Sequence, residues 1–218
     1  SAPDRHRSAP DIGPDMYAST DRLVIFDVDG TLVDAFRAVE GAFEHHGMDI
    51  GDLHRFQRRR KLLKYLGGLR ECPKNLRRQL DKESRKRLKQ TLTRIYRNEA
   101  RLFPAMATLL NRLIAAPDIR VGIVSRNVTI DPEETIRQVL ERNAVDGSAL
   151  DFLLCIPLGE EKTASFRTIR ERFGINPSRT YACGDEFRDY SAAIAAGVNP
   201  LIVSYGFEDH RRLTHKFA

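Results

Sequence analysis

Short apolar runs alternate along the chain with segments in which apolar residues recur at helical spacing. The runs predict five buried strands, at Arg22–Val28, Ile119–Val124, Phe152–Ile156, Arg179–Cys183 and Leu201–Ser204. Helical spacing predicts helices between them, for example around Val39, Leu110 and Phe166. Because strands that alternate with helices form parallel sheets with right-handed crossovers, we predict an α/β fold with a doubly wound parallel sheet.

A basic segment interrupts this alternation after the first strand. Leucines between Leu53 and Leu92, followed by Ile95 and Tyr96, recur at helical spacing and predict a small all-helical insert. We therefore expect an α/β core at residues 22–35 and 102–218 and a helical cap at residues 36–101. Residues 1–21 are rich in Pro, Asp, Ser and Arg without periodicity, which predicts a disordered tail.

Charge sets the predicted cap apart from the core. The chain carries a net charge of +6, but Leu53–Arg101 holds 18 Lys or Arg against four acids, which leaves −8 elsewhere. Three interpretations fit this charge: a solvated helical surface, recognition of a polyanionic or bulky phosphorylated substrate, or a nucleic-acid-binding face. Few aromatic residues accompany the basic runs, which argues against stacking on single-stranded nucleic acid.

Composition narrows the cellular setting. No apolar run approaches the ~18 residues that span a bilayer, so we expect no membrane partner. The N-terminal segment has no apolar signal region, so we expect no signal peptide. The three cysteines form no C-x-x-C pair and are typical of reduced thiols in a cytoplasmic protein. No pattern in the sequence predicts an oligomeric state.

Two carboxylates follow the first predicted strand directly. Asp27 and Asp29 lie one residue apart before Gly30, at the carboxyl end of a strand, where ligands bind in open α/β sheets. Like charges this close raise each other's pKa unless a cation lies between them, and oxygen ligands suit Mg²⁺. One aspartate could be a nucleophile and the other a proton donor and acceptor. The alternative is an Asp-Gly turn with solvated acids.

Three further strand ends carry polar side chains: Ser125, the loop with Lys162, and the pair Asp185 and Asp189. Carboxyl ends of parallel strands share one edge of a sheet, so these groups can converge on the first two acids. Taken singly, each has an ordinary alternative. Ser125 and the two aspartates could cap turns or helices, and Lys162 could be a solvated lysine.

The string Asp27-Val28-Asp29-Gly30-Thr31-Leu32-Val33-Asp34 resembles the first motif of the haloacid dehalogenase-like hydrolases. It is most similar to their phosphoglycolate phosphatase-like branch, whose members carry aspartate at both positions and a helical type-1 cap. The order Asp-x-Asp, Ser, Lys, Asp-x-x-x-Asp matches the four motifs of the family between Leu23 and Phe207. The resemblance implies a Rossmann-like core with an inserted cap.

The resemblance also implies an Mg²⁺-dependent phosphatase acting on a small phosphorylated metabolite. Asp27 would form an aspartyl-phosphate, and Asp29 would be the general acid and base. Ser125 and Lys162 would bind phosphoryl oxygens. The metal would be held by Asp27, the backbone carbonyl of Asp29 and Asp185, with Asp189 supporting its water shell.

Two departures from the family pattern and two alternative functions remain. The usual Lys-Pro-x-Pro is Lys162-Thr163-Ala164-Ser165 here, and Arg126 replaces the usual asparagine after Ser125. Arg126 could be an extra phosphate contact or a solvated side chain. The chain could instead be a non-catalytic module that binds nucleic acid or a protein through its basic insert, or a phosphomutase that shares the aspartyl-phosphate.

Overall fold

A five-stranded parallel sheet forms the centre of the molecule. The computed structural model describes residues 19–47, 82–208 and 210–217. The sheet has the order β3-β2-β1-β4-β5, so that β1 lies at its centre between β2 and β4. Its strands are β1 Arg22–Phe26, β2 Ile119–Ser125, β3 Phe152–Cys155, β4 Thr180–Gly184 and β5 Asn199–Ile202.

Helices connect the strands and follow the sheet to the end of the described chain. They are α1 Ala35–His45, α2 Lys82–Glu99, α3 Met106–Ala115, α4 Pro132–Arg142, α5 Thr163–Arg172, α6 Phe187–Ala196 and α7 His210–Phe217. None of the helices in these ranges is long and apolar enough to cross a bilayer.

Apolar side chains cover both faces of the sheet. Phe26 and Val121 belong to one buried cluster with residues of α1 to α4, whereas Ile25 belongs to a second cluster with residues of α5 and α6. Successive residues of a strand point to opposite faces, so the two clusters lie on the two sides of the sheet. The predicted α/β fold with a doubly wound parallel sheet is confirmed.

The fifth strand begins two residues earlier than the sequence predicts. The observed strand is Asn199–Ile202, whereas the apolar pattern predicts Leu201–Ser204. Asn199-Pro200 is typical of a turn, and proline cannot donate to a sheet ladder. At an edge strand the missing donor is tolerated, and β5 pairs only with β4 in the described sheet.

The basic insert is described only at its two flanks. Residues 48–81, which include Arg58-Arg59-Arg60-Lys61, lie outside the described residues, as do residues 1–18 of the predicted tail. On the described side, α1 packs against α2, and α2 packs against α4. Leu88, Leu92 and Tyr96 are fully buried in the same cluster as Phe26, so the helical stripe predicted in this part of α2 faces the core.

Candidate active site

Asp27 follows the central strand directly, and three donors hold its carboxylate. Its Oδ1 accepts hydrogen bonds from the Val28 backbone N–H at 2.8 Å, Ser125 Oγ at 2.9 Å and Lys162 Nζ at 2.9 Å. Ser125 is the last residue of the neighbouring strand β2, and its side chain is fully buried. No described residue donates to Oδ2, which leaves this oxygen available to a ligand.

Lys162 is a buried cation between two acids. Its side chain is 1% exposed, and Nζ lies 2.9 Å from Asp27 Oδ1 and 2.8 Å from Asp189 Oδ1. Burial disfavours the charged amine, but the attraction of Asp189 and Asp27 outweighs it and raises the pKa of Lys162. The ammonium is therefore charged at neutral pH. The alternative of a solvated lysine is wrong. Lys162 reaches Asp27 although the prolines usual in the family after this lysine are absent.

Three buried carboxylates, one of them that of Asp27, meet at this edge of the sheet. One oxygen each from Asp27, Asp185 and Asp189 lies within 4.8 Å of the others. Burial raises the pKa of Asp185 well above its ordinary value, and repulsion from Asp189 and Asp27 adds to the increase. A divalent cation would relieve this repulsion, and an all-oxygen donor set suits Mg²⁺. The predicted ligands Asp27 and Asp185 are thus adjacent, and Asp189 joins them.

Asp189 stays ionised because two cations contact it. Burial alone would raise its pKa, but Lys162 and Arg126 lower it below the ordinary value. Arg126 Nη2 lies 3.4 Å from Asp189 Oδ1 and 3.6 Å from Glu186 Oε2, and the side chain of Arg126 is 9% exposed. The alternative that Arg126 is solvated is therefore wrong. Asp189 also accepts the Glu186 backbone N–H at 3.2 Å, which caps the start of α6.

Asp29 occupies a different environment from Asp27. Its Oδ1 accepts the Tyr96 hydroxyl at 2.7 Å, and Asn127 Nδ2 donates to Oδ1 and Oδ2 at 3.2 and 3.1 Å. Burial raises the pKa of Asp29 to about 7, and the charge of Asp27 contributes, while the hydrogen bonds from Tyr96 and Asn127 oppose the increase. A carboxyl with this pKa can both give and take a proton near neutral pH.

A family model decides where this arrangement belongs. The model described as haloacid dehalogenase-like hydrolase matches residues 22–197. The chain belongs to this family. It is a hydrolase, and the match contains all four strand ends described above.

Solved structures agree with this fold. A predicted phosphoglycolate phosphatase from Haemophilus somnus has a TM-score of 0.63 at 21% identity, over 91% of this hydrolase and 92% of its own chain. A predicted phosphatase from Clostridium acetobutylicum has a TM-score of 0.60 at 19% identity, over 92% of both chains. A haloacid dehalogenase-like family protein from Streptococcus pneumoniae has a TM-score of 0.60 at 19% identity, over 89% of this hydrolase and 90% of its own chain. At such low identity these likenesses establish the fold alone. A search of curated proteins gave no significant match.

The hydrolase carries two residues at this site that the sequence analysis missed. Asn127 was detectable in principle, because it lies two residues after Ser125 at the same strand end and can face the same side. Tyr96 gave no such signal. It lies 67 residues from Asp29 and reads as one more apolar member of a helical stripe.

The absence of a side chain at Gly30 leaves space for the carboxylate of Asp185 next to the first motif. Its φ of +86° is in the left-handed region, and a Cβ atom added there would overlap Asp185 Oδ2 and lie 2.7 Å from Phe207 Cδ2. Asp185 cannot withdraw freely, because its Oδ2 accepts the Phe207 backbone N–H and its Oδ1 accepts Thr31 Oγ1 at 3.3 Å. The position therefore requires glycine for both conformation and space.

Replacing Gly30 with alanine is expected to lower the free energy of unfolding by about 3 kcal/mol, the sum of backbone strain and overpacking. Gly197→Ala is the matched control, since Gly197 has a φ of +72° but no atom within 4 Å of an added Cβ. It isolates the conformational cost, about 1 kcal/mol. Urea denaturation of both variants measures the difference, and equal losses would contradict the close approach of Asp185 to Gly30.

Proposed function

We propose that the hydrolase is an Mg²⁺-dependent phosphatase that cleaves a small organic phosphate monoester through an aspartyl-phosphate on Asp27. One observation carries this proposal: Asp27, Ser125, Lys162 and Asp185 come from four separate segments and converge at one edge of the sheet. The convergence supplies a nucleophile, phosphate-binding donors and acids for a metal. Phosphoryl transfer depends mainly on such positioning and charge stabilisation.

The donor set fits the metal that the family implies. The carboxylates of Asp27 and Asp185 and the backbone carbonyl of Asp29 would hold Mg²⁺, with Asp189 supporting its water ligands. Bound there, Mg²⁺ would supply positive charge to the nucleophile and the phosphoryl group.

Lys162 and Ser125 would prepare the attack. Both hold Asp27 Oδ1, which fixes the orientation of the carboxylate, and the buried ammonium offsets repulsion between Asp27 and an incoming dianion. The Lys162 ammonium has a third N–H that would donate to an incoming phosphoryl oxygen, whereas the single O–H of Ser125 would turn from Asp27 Oδ1 to the phosphoryl group. Asp27 would then bond to phosphorus as the bond to the leaving oxygen breaks.

Asp29 would carry the proton in both halves of the reaction. Its neutral form would protonate the departing alcohol oxygen, and its ionised form would then accept a proton from the water that hydrolyses the aspartyl-phosphate. A pKa of about 7 makes both forms available near neutral pH.

Phosphate release from a panel of monoesters, with and without Mg²⁺, tests the proposal. The structural likeness to a predicted phosphoglycolate phosphatase makes 2-phosphoglycolate the first substrate to assay. We expect release that requires Mg²⁺ and is restored after chelation by adding the metal back. Absence of release from every monoester at saturating Mg²⁺ would contradict the proposal.

The division into core and cap is part of the proposal. Helices α1 and α2 would be the described flanks of a cap at residues 36–101, which would close over the site and select the substrate. Binding of nucleic acid through the basic insert stays a prediction, since residues 48–81 lie outside the described residues. A sugar bisphosphate in the assay panel separates a phosphatase, which releases phosphate, from a phosphomutase, which retains it.

A further inference from the structure

Tyr96 reaches the site from a helix outside the four family motifs. It lies in the last turns of α2, its side chain is 1% exposed, and its hydroxyl lies 2.7 Å from Asp29 Oδ1. A buried tyrosine hydroxyl needs a hydrogen-bond partner. The partner of the Tyr96 hydroxyl is the carboxyl of Asp29, the general acid and base of the proposed function. Burial and the nearby Asp29 raise the pKa of Tyr96 well above 10, so the hydroxyl keeps its proton and donates.

The end of α2 that carries Tyr96 is fixed to the core on both sides of this residue. Thr93 Oγ1 accepts the Ile130 backbone N–H at 2.9 Å. Arg97 donates to Thr135 Oγ1 at 3.0 Å and to the Ile130 carbonyl at 3.2 Å. These contacts hold the helix against the segment that follows β2, so the hydroxyl has a defined position relative to Asp29.

Asn127, in the segment after β2, is the second side chain that holds the Asp29 carboxyl. Its Oδ1 accepts the Thr129 backbone N–H at 2.9 Å and Thr129 Oγ1 at 2.5 Å, which directs the amide Nδ2 toward Asp29. Asp29 Oδ1 thus receives donors from two elements, whereas Oδ2 receives only the Asn127 amide at 3.1 Å. The plane and rotamer of the carboxyl are fixed, and Oδ2 is the less occupied oxygen.

We infer that Tyr96 is a positioning residue that holds Asp29 so that its Oδ2 faces the leaving oxygen of the substrate. The inference rests on the proposed function. As Asp27 bonds to phosphorus, the bond from phosphorus to the leaving oxygen breaks, its electron pair stays on that oxygen, and the oxygen takes the proton from Asp29. With the Tyr96 hydroxyl removed, Asp29 can rotate away and the proton reaches the leaving oxygen less often.

Leaving-group dependence tests this role in Tyr96→Phe. An alkyl phosphate needs a proton on its leaving oxygen, whereas p-nitrophenyl phosphate releases a stable anion and needs little help. At saturating Mg²⁺, we expect the burst rate of alcohol release from the alkyl substrate to fall about tenfold to a hundredfold, as the loss of one strong hydrogen bond predicts, with the substrate concentration for half-maximal burst rate nearly unchanged. The burst rate of p-nitrophenol release from p-nitrophenyl phosphate is expected to stay within about threefold of wild type, since the burst precedes the hydrolysis step that both substrates share.

The ratio of the two rates is the decisive quantity. Both rates come from one preparation, so a lower folded fraction of the variant leaves the ratio unchanged. Tyr181→Phe is the matched control, because Tyr181 lies in β4 beside β1 and its hydroxyl has no partner among the described residues. We expect its ratio to equal that of wild type.

Two outcomes overturn the inference, and they are distinguishable. If the wild-type enzyme is active and Tyr96→Phe lowers the rates on both substrates equally, or lowers neither, Tyr96 does not position the acid. A wild-type protein that releases phosphate from neither substrate would overturn the proposed function, and this inference with it.

Discussion

Asp27→Asn is expected to lower kcat for phosphate release by about 10⁴-fold or more. The amide keeps the size of the carboxylate but lacks the charge that attacks phosphorus. Unaided hydrolysis of phosphate monoesters is so slow that no background reaction will hide the loss. The loss should be all-or-none rather than graded, because the later hydrolysis step has no substrate without the aspartyl-phosphate. Steady-state phosphate release at saturating Mg²⁺ measures it.

Asp118→Asn provides the matched control for this loss. Asp118 is a half-exposed carboxylate that pairs with Arg22 at 2.7 Å, at the end of β1 remote from Asp27. The control should keep wild-type activity, and thermal melting should show that both variants are folded. An Asp27→Asn protein that keeps more than about a hundredth of the wild-type rate would rule out Asp27 as the nucleophile.

The second large effect is a pH dependence that belongs to Asp29. The acid must be protonated to release the alcohol, and burial raises its pKa to about 7. The alcohol-releasing step is therefore fastest below this pH and slows as the pH rises through about 7. Rapid-quench measurement of the alcohol burst on an alkyl phosphate, at pH values on both sides of 7, isolates this step from the later hydrolysis.

Asp29→Asn should abolish the decrease in alcohol-burst rate that wild type shows as the pH rises through about 7. Asparagine cannot donate an acidic proton, and general acid–base catalysis contributes about 10²–10⁴-fold, so we expect the burst rate below pH 7 to fall by about 10³-fold. The burst rate of p-nitrophenol release from p-nitrophenyl phosphate should fall much less, because its leaving anion needs little protonation, and serves as the internal control. Persistence of the same decrease in the variant would assign it to another group and contradict the role of Asp29.

The sheet and most of the site were predictable from local patterns. The adjacent strands β1 and β2 are largely buried and are visible in the sequence as apolar runs, and the parallel arrangement places the carboxyl ends of all five strands at one edge. Polar residues placed just after such runs, as in Asp27 and Asp185, therefore indicated a shared site. Ser125 and Lys162 were ambiguous one at a time, and the structure places both within 2.9 Å of Asp27.

The remaining features depend on contacts that the sequence does not encode locally. Tyr96 meets Asp29 only because α2 packs beside the first motif, and a helical stripe does not distinguish a buried hydroxyl from a buried ring. The sequence left two interpretations of Arg126 open, a phosphate contact or a solvated side chain, because its partners Asp189 and Glu186 lie about 60 residues away. The early start of β5 reflects its position at the sheet edge, which topology decides.

Chemical trapping of the phosphoenzyme tests the central claim most directly. The hydrolase is quenched in acid during turnover of an alkyl phosphate with Mg²⁺, reduced with borohydride, digested and sequenced by mass spectrometry. Borohydride reduces an acyl phosphate to the alcohol, so the account predicts conversion of Asp27 to homoserine, with Asp29 and Asp185 unchanged and no conversion without substrate. If the enzyme turns over but borohydride converts a different residue, or traps no acyl phosphate under conditions that slow its hydrolysis, Asp27 is not the nucleophile.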